Sequence, residues 1–191
     1  AKELQDQGVL ANCHVNIVQT QETVSYPNYQ NEMTFLLEDK KRIEYIAEMI
    51  KGISETGNTL VLTNRIKNGE ALQELISGAE FVQGAMKVAD RKDAYNEINE
   101  GTNTITIATY GVAAVGINIP RIFNLVLLEP GKSFVRVIQS IGRGVRMAKD
   151  KDFVQIWDVT SRCKFSKRHL TERKKFYKEA SYPFTIDKIT Y

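Results

Sequence analysis

The chain has 191 residues, 42% hydrophobic and 26% charged, with a formal net charge of +3. These proportions are ordinary for a soluble globular protein, and the length suits one domain, or one domain with an extension. No apolar run approaches the roughly 20 residues that a membrane span needs. Two cysteines, Cys13 and Cys163, lie far apart with no CxxC spacing, so neither a zinc signature nor a disulfide framework is present. Buried thiols in a reducing cytoplasm are expected. The chain opens Ala-Lys-Glu-Leu, without Met or a signal-peptide pattern, and is expected to be a fragment of a longer protein.

Charge is unevenly spread. From Arg162 to Tyr191 there are nine basic and three acidic residues, a balance of +6 against −3 for the other 161. A basic tail on a near-neutral body points to a polyanion; a solvated helix face fits the same count.

Taken in order, residues 1–12 are expected to be a linker. Cys13 to Thr20 partly alternates, which predicts a strand; His14 within it has no second ligand nearby and is expected to be structural. Residues 21–34 are polar with a Tyr-Pro turn and predict a loop. Leu36 to Lys51 carries Leu37, Ile43, Ile46, Ala47 and Ile50 at helical spacing, an amphipathic helix. Asn58 to Thr63 is a short apolar strand, and a helix follows over Asn68 to Ile76. Glu80 to Gln83 is another strand, stopping at Gly84, and Ala89 to Glu100 a charged helix. Thr104 to Thr109 is a β-branched strand. Leu125 to Leu128 is wholly apolar, as for a strand buried on both faces. Phe134 to Ile141 starts a helix, Phe153 to Val159 is the last clear strand, and Phe165 to Tyr182 is a basic helix with aromatic residues. Short strands alternating with helices predict an α/β fold: a mostly parallel sheet with helices on both faces. No internal repeat interrupts this order.

In such a sheet ligands sit beyond the carboxyl ends of the strands. The functional candidates are therefore Thr63, Asn64, Arg65, Gly84, Thr109, Tyr110 and the stretch 158–160. Two further segments carry chemistry. In the first, Gln139-Ser140-Ile141-Gly142-Arg143-Gly144-Val145-Arg146, a continuous helix would bring Gln139, Arg143 and Arg146 within about 60° of arc. Arginine offers a fixed, permanently charged fork suited to phosphate oxygens, and Gly142 leaves bare backbone for close approach or for the end of the helix. A surface helix with its arginines paired to carboxylates fits this stretch as well. In the second, Thr109 at a strand end offers a hydroxyl and an N–H, followed by Gly116-Ile117-Asn118-Ile119-Pro120. Gly131-Lys132-Ser133 has the ending of a phosphate loop, but Val126 stands where its first glycine belongs and Pro130 lacks an N–H. No Asp-Glu dipeptide occurs.

Gln-x-x-Gly-Arg-x-x-Arg at 139–146 resembles the last signature of superfamily-two helicases and translocases. The segment Ile107 to Pro120 resembles their penultimate one, with Asn118 where the family usually has Asp. Leu60 to Arg65 and Val82-Gln83-Gly84 are similar to two shorter elements, and the order of all four strengthens each. The resemblance covers residues 13–160. It implies a RecA-like (P-loop NTPase-like), three-layer second motor domain at 13–160, a missing N-terminal motor domain joined through 1–12, and a basic helical extension at 161–191. It implies ATP and Mg2+ bound mainly by the missing half. Arg143 and Arg146 would meet the phosphates, positioned by Gln139, while Gly116, Asn118 and Gly142 would lie near the nucleotide. Thr63, Asn64, Arg65, Gly84, Thr109 and Tyr110 would touch nucleic acid. The parent would be an ATP-dependent DNA helicase acting on branched or single-stranded recombining DNA, with no membrane partner and no metal held by this chain. The fragment alone is expected not to hydrolyse ATP. A noncatalytic nucleic-acid-binding module, or a translocase that remodels complexes without unwinding, are the rival expectations.

Overall fold

A computed structural model of the chain describes residues 12–83, 103–114, 122–131, 138 and 153–191. In chain order the elements are β1 (Cys13–Thr20), α1 (Tyr29–Glu38), α2 (Lys40–Ser54), β2 (Thr59–Thr63), α3 (Ile66–Leu75), β3 (Glu80–Val82), β4 (Ile105–Thr109), α4 (Tyr110–Ala114), β5 (Asn124–Leu128), β6 (Val154–Ser161), α5 (Lys164–Glu179) and β7 (Phe184–Ile189). The described strands form one seven-stranded sheet in the order β3-β4-β2-β5-β6-β1-β7. Each of these pairings is parallel. Fully parallel sheets need both faces covered, and this one has a core on each. On one face Val15, Ile17, Leu60, Leu62, Leu125 and Leu127 meet Leu170, Phe176 and Tyr177 of α5. On the other, Val61, Ile107 and Val126 meet Ile46 and Ile50 of α2 and Leu72 of α3. The result is the three-layer α/β architecture expected, with β2, β4 and β5 made of residues apolar enough to be buried on both sides.

Three expectations need correction. The single helix over Leu36 to Lys51 is two helices broken at Asp39, which adopts an extended conformation (ψ 115°). Asp39 closes α1 through its N–H to the Phe35 carbonyl at 2.9 Å. It also opens α2, its Oδ2 accepting the Arg42 N–H at 3.0 Å. The polar stretch 29–34, expected as loop, is the first half of α1. Asn28 caps it, accepting the Asn31 N–H at 2.8 Å, and Met33, Leu36 and Leu37 give it a buried stripe. Finally, Phe153 to Val159 is not the last strand. β7 pairs with β1 in the register Val15 with Phe184, so the tail joins the same sheet instead of standing apart as a helical extension. The helices expected at 89–100 and from Phe134 fall outside the described residues, except Ile138, which is helical and fully buried.

Gly69 of α3 packs against the tip of the Phe81 ring on β3, too closely for an added Cβ to fit without a shift. Gly69→Ala is expected to destabilise the chain by about 1–3 kcal/mol through overpacking, despite alanine's better helix propensity of about 1 kcal/mol. Adding Phe81→Leu should recover part of the loss. Urea denaturation midpoints of the two variants check both statements.

Candidate functional site

Because all the described strands run the same way, their carboxyl ends share one edge. β4 and β5 both flank β2. From β2 the chain leaves through α3 toward β3, whereas from β5 it goes on to β6 on the opposite side. The loops after β2 and β5 therefore part in opposite directions, which opens a crevice at this point of an α/β sheet. Asn64 spans it. Its Nδ2 donates to the Glu129 carbonyl at 2.7 Å and to the Leu128 carbonyl at 3.3 Å. Glu129 takes a left-handed conformation (φ 45°), as does Gly131 (φ 64°). For a non-glycine residue that conformation costs about 1–2 kcal/mol, so Glu129 must be held by its surroundings.

They hold it through Arg42, which is almost fully buried. Arg42 Nη2 meets Glu129 Oε1 at 2.9 Å, and its Nε meets Glu22 Oε2 at 3.0 Å. Nη1 donates to the Leu36 carbonyl at 3.0 Å. The other Glu129 oxygen accepts from Ser166 at 3.1 Å. The Ser166 hydroxyl also lies within hydrogen-bond distance of Glu32, whose two oxygens accept the Phe165 and Ser166 N–H groups at 2.9 Å, capping α5. The Tyr191 hydroxyl donates to Glu22 at 2.7 Å. Burial pushes the Glu129 carboxyl above the usual range, and the Arg42 and Arg173 guanidinium groups pull it part of the way back. A second buried pair lies below: Arg173 grips Asp158 with two bonds of 2.8 and 2.9 Å, and Tyr177 donates to the same carboxylate at 2.6 Å.

The candidate residues separate along this edge. Thr63 is fully buried, its hydroxyl donating to Asn68 at 2.6 Å. Tyr110 is buried too, its hydroxyl donating to the Leu128 carbonyl at 2.9 Å, and burial holds it protonated well above the ordinary range. These two side chains are turned into the domain and support the edge from within. Asn64 is exposed, and Arg65 is half-buried with Nη1 on Thr34 at 2.8 Å. Thr109 is half-buried and caps α4, accepting the Val112 N–H at 3.4 Å. Asp158 is engaged by Arg173 and is no free carboxylate. Gly84, Gly116, Asn118, Gln139, Gly142, Arg143 and Arg146 lie outside the described residues. Both cysteines are buried and free, and burial pushes the Cys13 thiol up to about 12. Among the described residues no group of three His, Cys, Asp or Glu could hold a metal ion, and no helix is long and apolar enough to cross a membrane.

Sequence pattern does not reveal Arg42, Glu129, Glu32 or Ser166. Arg42 stands where the helical period puts the flank of a charged helix, and nothing in its neighbours marks it as interior. Arg173 belongs by sequence with the cations of the tail, but it is buried and neutralised.

A parallel, doubly covered sheet with its candidate residues on the carboxyl edge is the layout of a RecA-like motor domain. Residues 41–148 match the family described as "Helicase conserved C-terminal domain", more than half the chain. The chain belongs to that family. It is 27% identical over 153 residues to the ATP-dependent DNA helicase uvsW of Enterobacteria phage T4, covering 78% of this chain and 30% of that protein. The chain thus spans less than a third of this curated relative. The crystal structure of T4 UvsW superposes with a TM-score of 0.78 at 16% identity, covering 93% of this chain and 42% of that one. S. cerevisiae Dbp5 bound to RNA and ADP BeF3 gives 0.61 at 15% identity, covering 95% and 42%.

Arg42→Met leaves Glu22 and Glu129 buried without their shared counter-charge, and breaking such a pair costs about 3–5 kcal/mol. In the variant the Glu129 carboxyl, already raised by burial, loses the lowering effect of Arg42 and is expected to titrate further above its unfolded value. An acid raised on folding destabilises once it ionises, so the deficit against the parent is expected to grow from about pH 5 to about pH 8. Urea titrations at the two pH values test the sign.

Proposed function

We propose that this chain is the second RecA-like motor domain of an ATP-dependent DNA helicase acting on branched or recombining DNA. What supports the reading is where the two signature segments begin. The one at 107–120 begins in β4 and leaves it at Thr109, and the one at 139–146 comes eight residues after Gly131, just past β5, on either side of the β2 end that carries Asn64 and Arg65. Both segments are thus rooted on one edge, around one crevice.

In this reading the missing N-terminal motor domain, joined through residues 1–12, carries the phosphate loop and the metal-binding acids. ATP and Mg2+ would be held mainly there, the metal neutralising phosphate charge and ATP hydrolysis supplying the free energy. This chain's part is electrostatic. Arg143 and Arg146 place permanent positive charge against the phosphates, in the manner of an arginine finger, and Gln139 helps position them. Gly142 and Gly116 give backbone access, and Asn118 can hydrogen-bond the sugar. Exposed Asn64 and half-buried Arg65 contact one nucleic-acid strand, with Thr109 and Gly84 as further contacts. Closing and opening of the cleft between the two domains would step the protein along that strand. The chain alone then lacks half of the site and does not turn over ATP. The phage relative favours a place in the cytoplasm of an infected host cell.

In the full-length protein, Arg143→Ala is expected to lower steady-state ATP turnover by about 10³-fold or more while DNA binding is largely kept. Turnover equal to that of the parent would remove Arg143 from the assigned role.

A further inference from the structure

At its far end the carboxyl edge carries a groove that the motor function above does not use. Helix α5 forms one wall and the ends of β1 and β7 form the other, enclosing a volume of about 610 Å³. Arg162, Lys164, Lys167, Lys174 and Lys188 line it. Glu22 lines it too, but its oxygens are taken by Arg42, Thr20 and Tyr191. Among the described residues no carboxylate lies within ion-pair distance of any of the five cations. The pattern of α5 explains this. Lys164, Lys167 and Lys174 follow i, i+3, i+10 spacing and share one stripe, whereas Glu172 and Glu179 lie about 120–140° round the helix from Lys167. Glu172 is paired with Lys175 instead. A second hollow shares Arg162, Lys164 and Lys167 with the groove and adds Arg168 and Thr171.

The attraction is one of side-chain charge. The first amides of α5 are already capped by Glu32, so they are not left as donors for a ligand. The groove offers no stacking platform either, since no aromatic residue lines it. Phe176 and Tyr177 are buried in the core. Phe165 lies beneath Lys164 and Arg168 at 5.5 and 5.6 Å, and His169 packs on Tyr29 with ring centroids 4.7 Å apart. Proteins that hold single strands without sequence preference combine charge with stacking platforms. A surface with charge alone favours the form with the denser charge, and a duplex carries one negative charge per about 1.7 Å of axis. From Lys164 to Lys174 the helix rises about 15 Å, which matches roughly four base-pair steps of duplex axis at about 3.4 Å each.

We infer that the groove between α5 and the ends of β1 and β7 binds the phosphate backbone of duplex nucleic acid. It lies three to four strand steps, about 14–19 Å, along the edge from the end of β2. It uses neither Arg143 nor Arg146, so it stands or falls separately from the motor assignment.

The test is binding of a short labelled duplex and of its single strand by the full-length protein, without nucleotide, titrated from about 50 to about 200 mM salt. Lys167→Glu with Lys174→Glu is expected to weaken duplex binding about tenfold and to reduce the salt slope by about two, near 0.9 for each phosphate no longer neutralised. Lys167→Gln with Lys174→Gln should weaken binding less, in the same direction. Lys51→Glu, at the carboxyl end of α2 near the opposite edge of the sheet, should change neither. Unaltered duplex affinity and slope in the double reversal would overturn the inference. So would a loss confined to single strands, or an equal loss in Lys51→Glu.

Discussion

One buried guanidinium organises the working edge of this domain. Arg42 reaches from the first turn of α2 to Glu22 after β1, to Glu129 after β5, and to the end of α1 at Leu36. Through Glu129 and Ser166 the chain of bonds continues to Glu32 of α1 and the first amides of α5. Five separate elements are thereby fixed to one another by groups that have no water to fall back on. A buried ion pair of this kind is a weak source of net stability, because desolvation offsets most of the Coulomb attraction. What it supplies here is selectivity of arrangement. Only one placement of these ends satisfies every donor and acceptor, and a misplaced end would leave a charge buried alone.

That constraint matters for function because of what begins at the ends it fixes. Glu129 sits in a left-handed conformation that its side-chain and backbone bonds maintain. Pro130 and Gly131 follow at once, and the chain then enters the segment with the two arginines. Tyr110 and Thr63 do equivalent work around β2: their hydroxyls bond to the Leu128 carbonyl and to Asn68 within the domain. They are strand-end residues whose task is to hold the platform, while Asn64, Arg65 and Thr109 remain at its surface.

Much of the fold was legible in the sequence. β2, β4 and β5 are runs of apolar and β-branched residues with no polar face, so a doubly covered parallel sheet was the simplest reading. The break at Asp39 was hidden because Leu36 and Leu37 continue the apolar stripe of α2, and the break is made by one aspartate's backbone turn and cap. α1 was hidden because Tyr26-Pro27 and the polar run after it look like a loop, although Asn28 with Met33, Leu36 and Leu37 carries a cap and a helical stripe. β7 was hidden because an edge strand can carry Asp187 and Lys188, the charges that keep an edge from pairing with a neighbour. The polar interior was not legible at all. Arg42, Glu32 and Glu129 are residues of types that are almost always exposed, and only the three-dimensional meeting of five elements makes them internal.

The same point changes how charge should be counted in this chain. The basic tail has a balance of +6 by sequence, yet Arg173 contributes nothing to an outside partner, since Asp158 neutralises it in the core. Lys175 is partly offset by Glu172 on the surface. The remaining excess is concentrated by the 3.6-residue period of α5 on the one stripe that faces the ends of β1 and β7. Helical periodicity thus converts a diffuse excess of lysine into a directed patch, while the acids of the same helix are carried to another side. Because exposed charges act over about 10 Å at ordinary salt, a patch about 14–19 Å from the β2 end is largely screened from the crevice. The edge therefore carries two polar regions, one shaped by buried bonds and one by surface charge, which meet at Glu22, the groove residue that Arg42 holds.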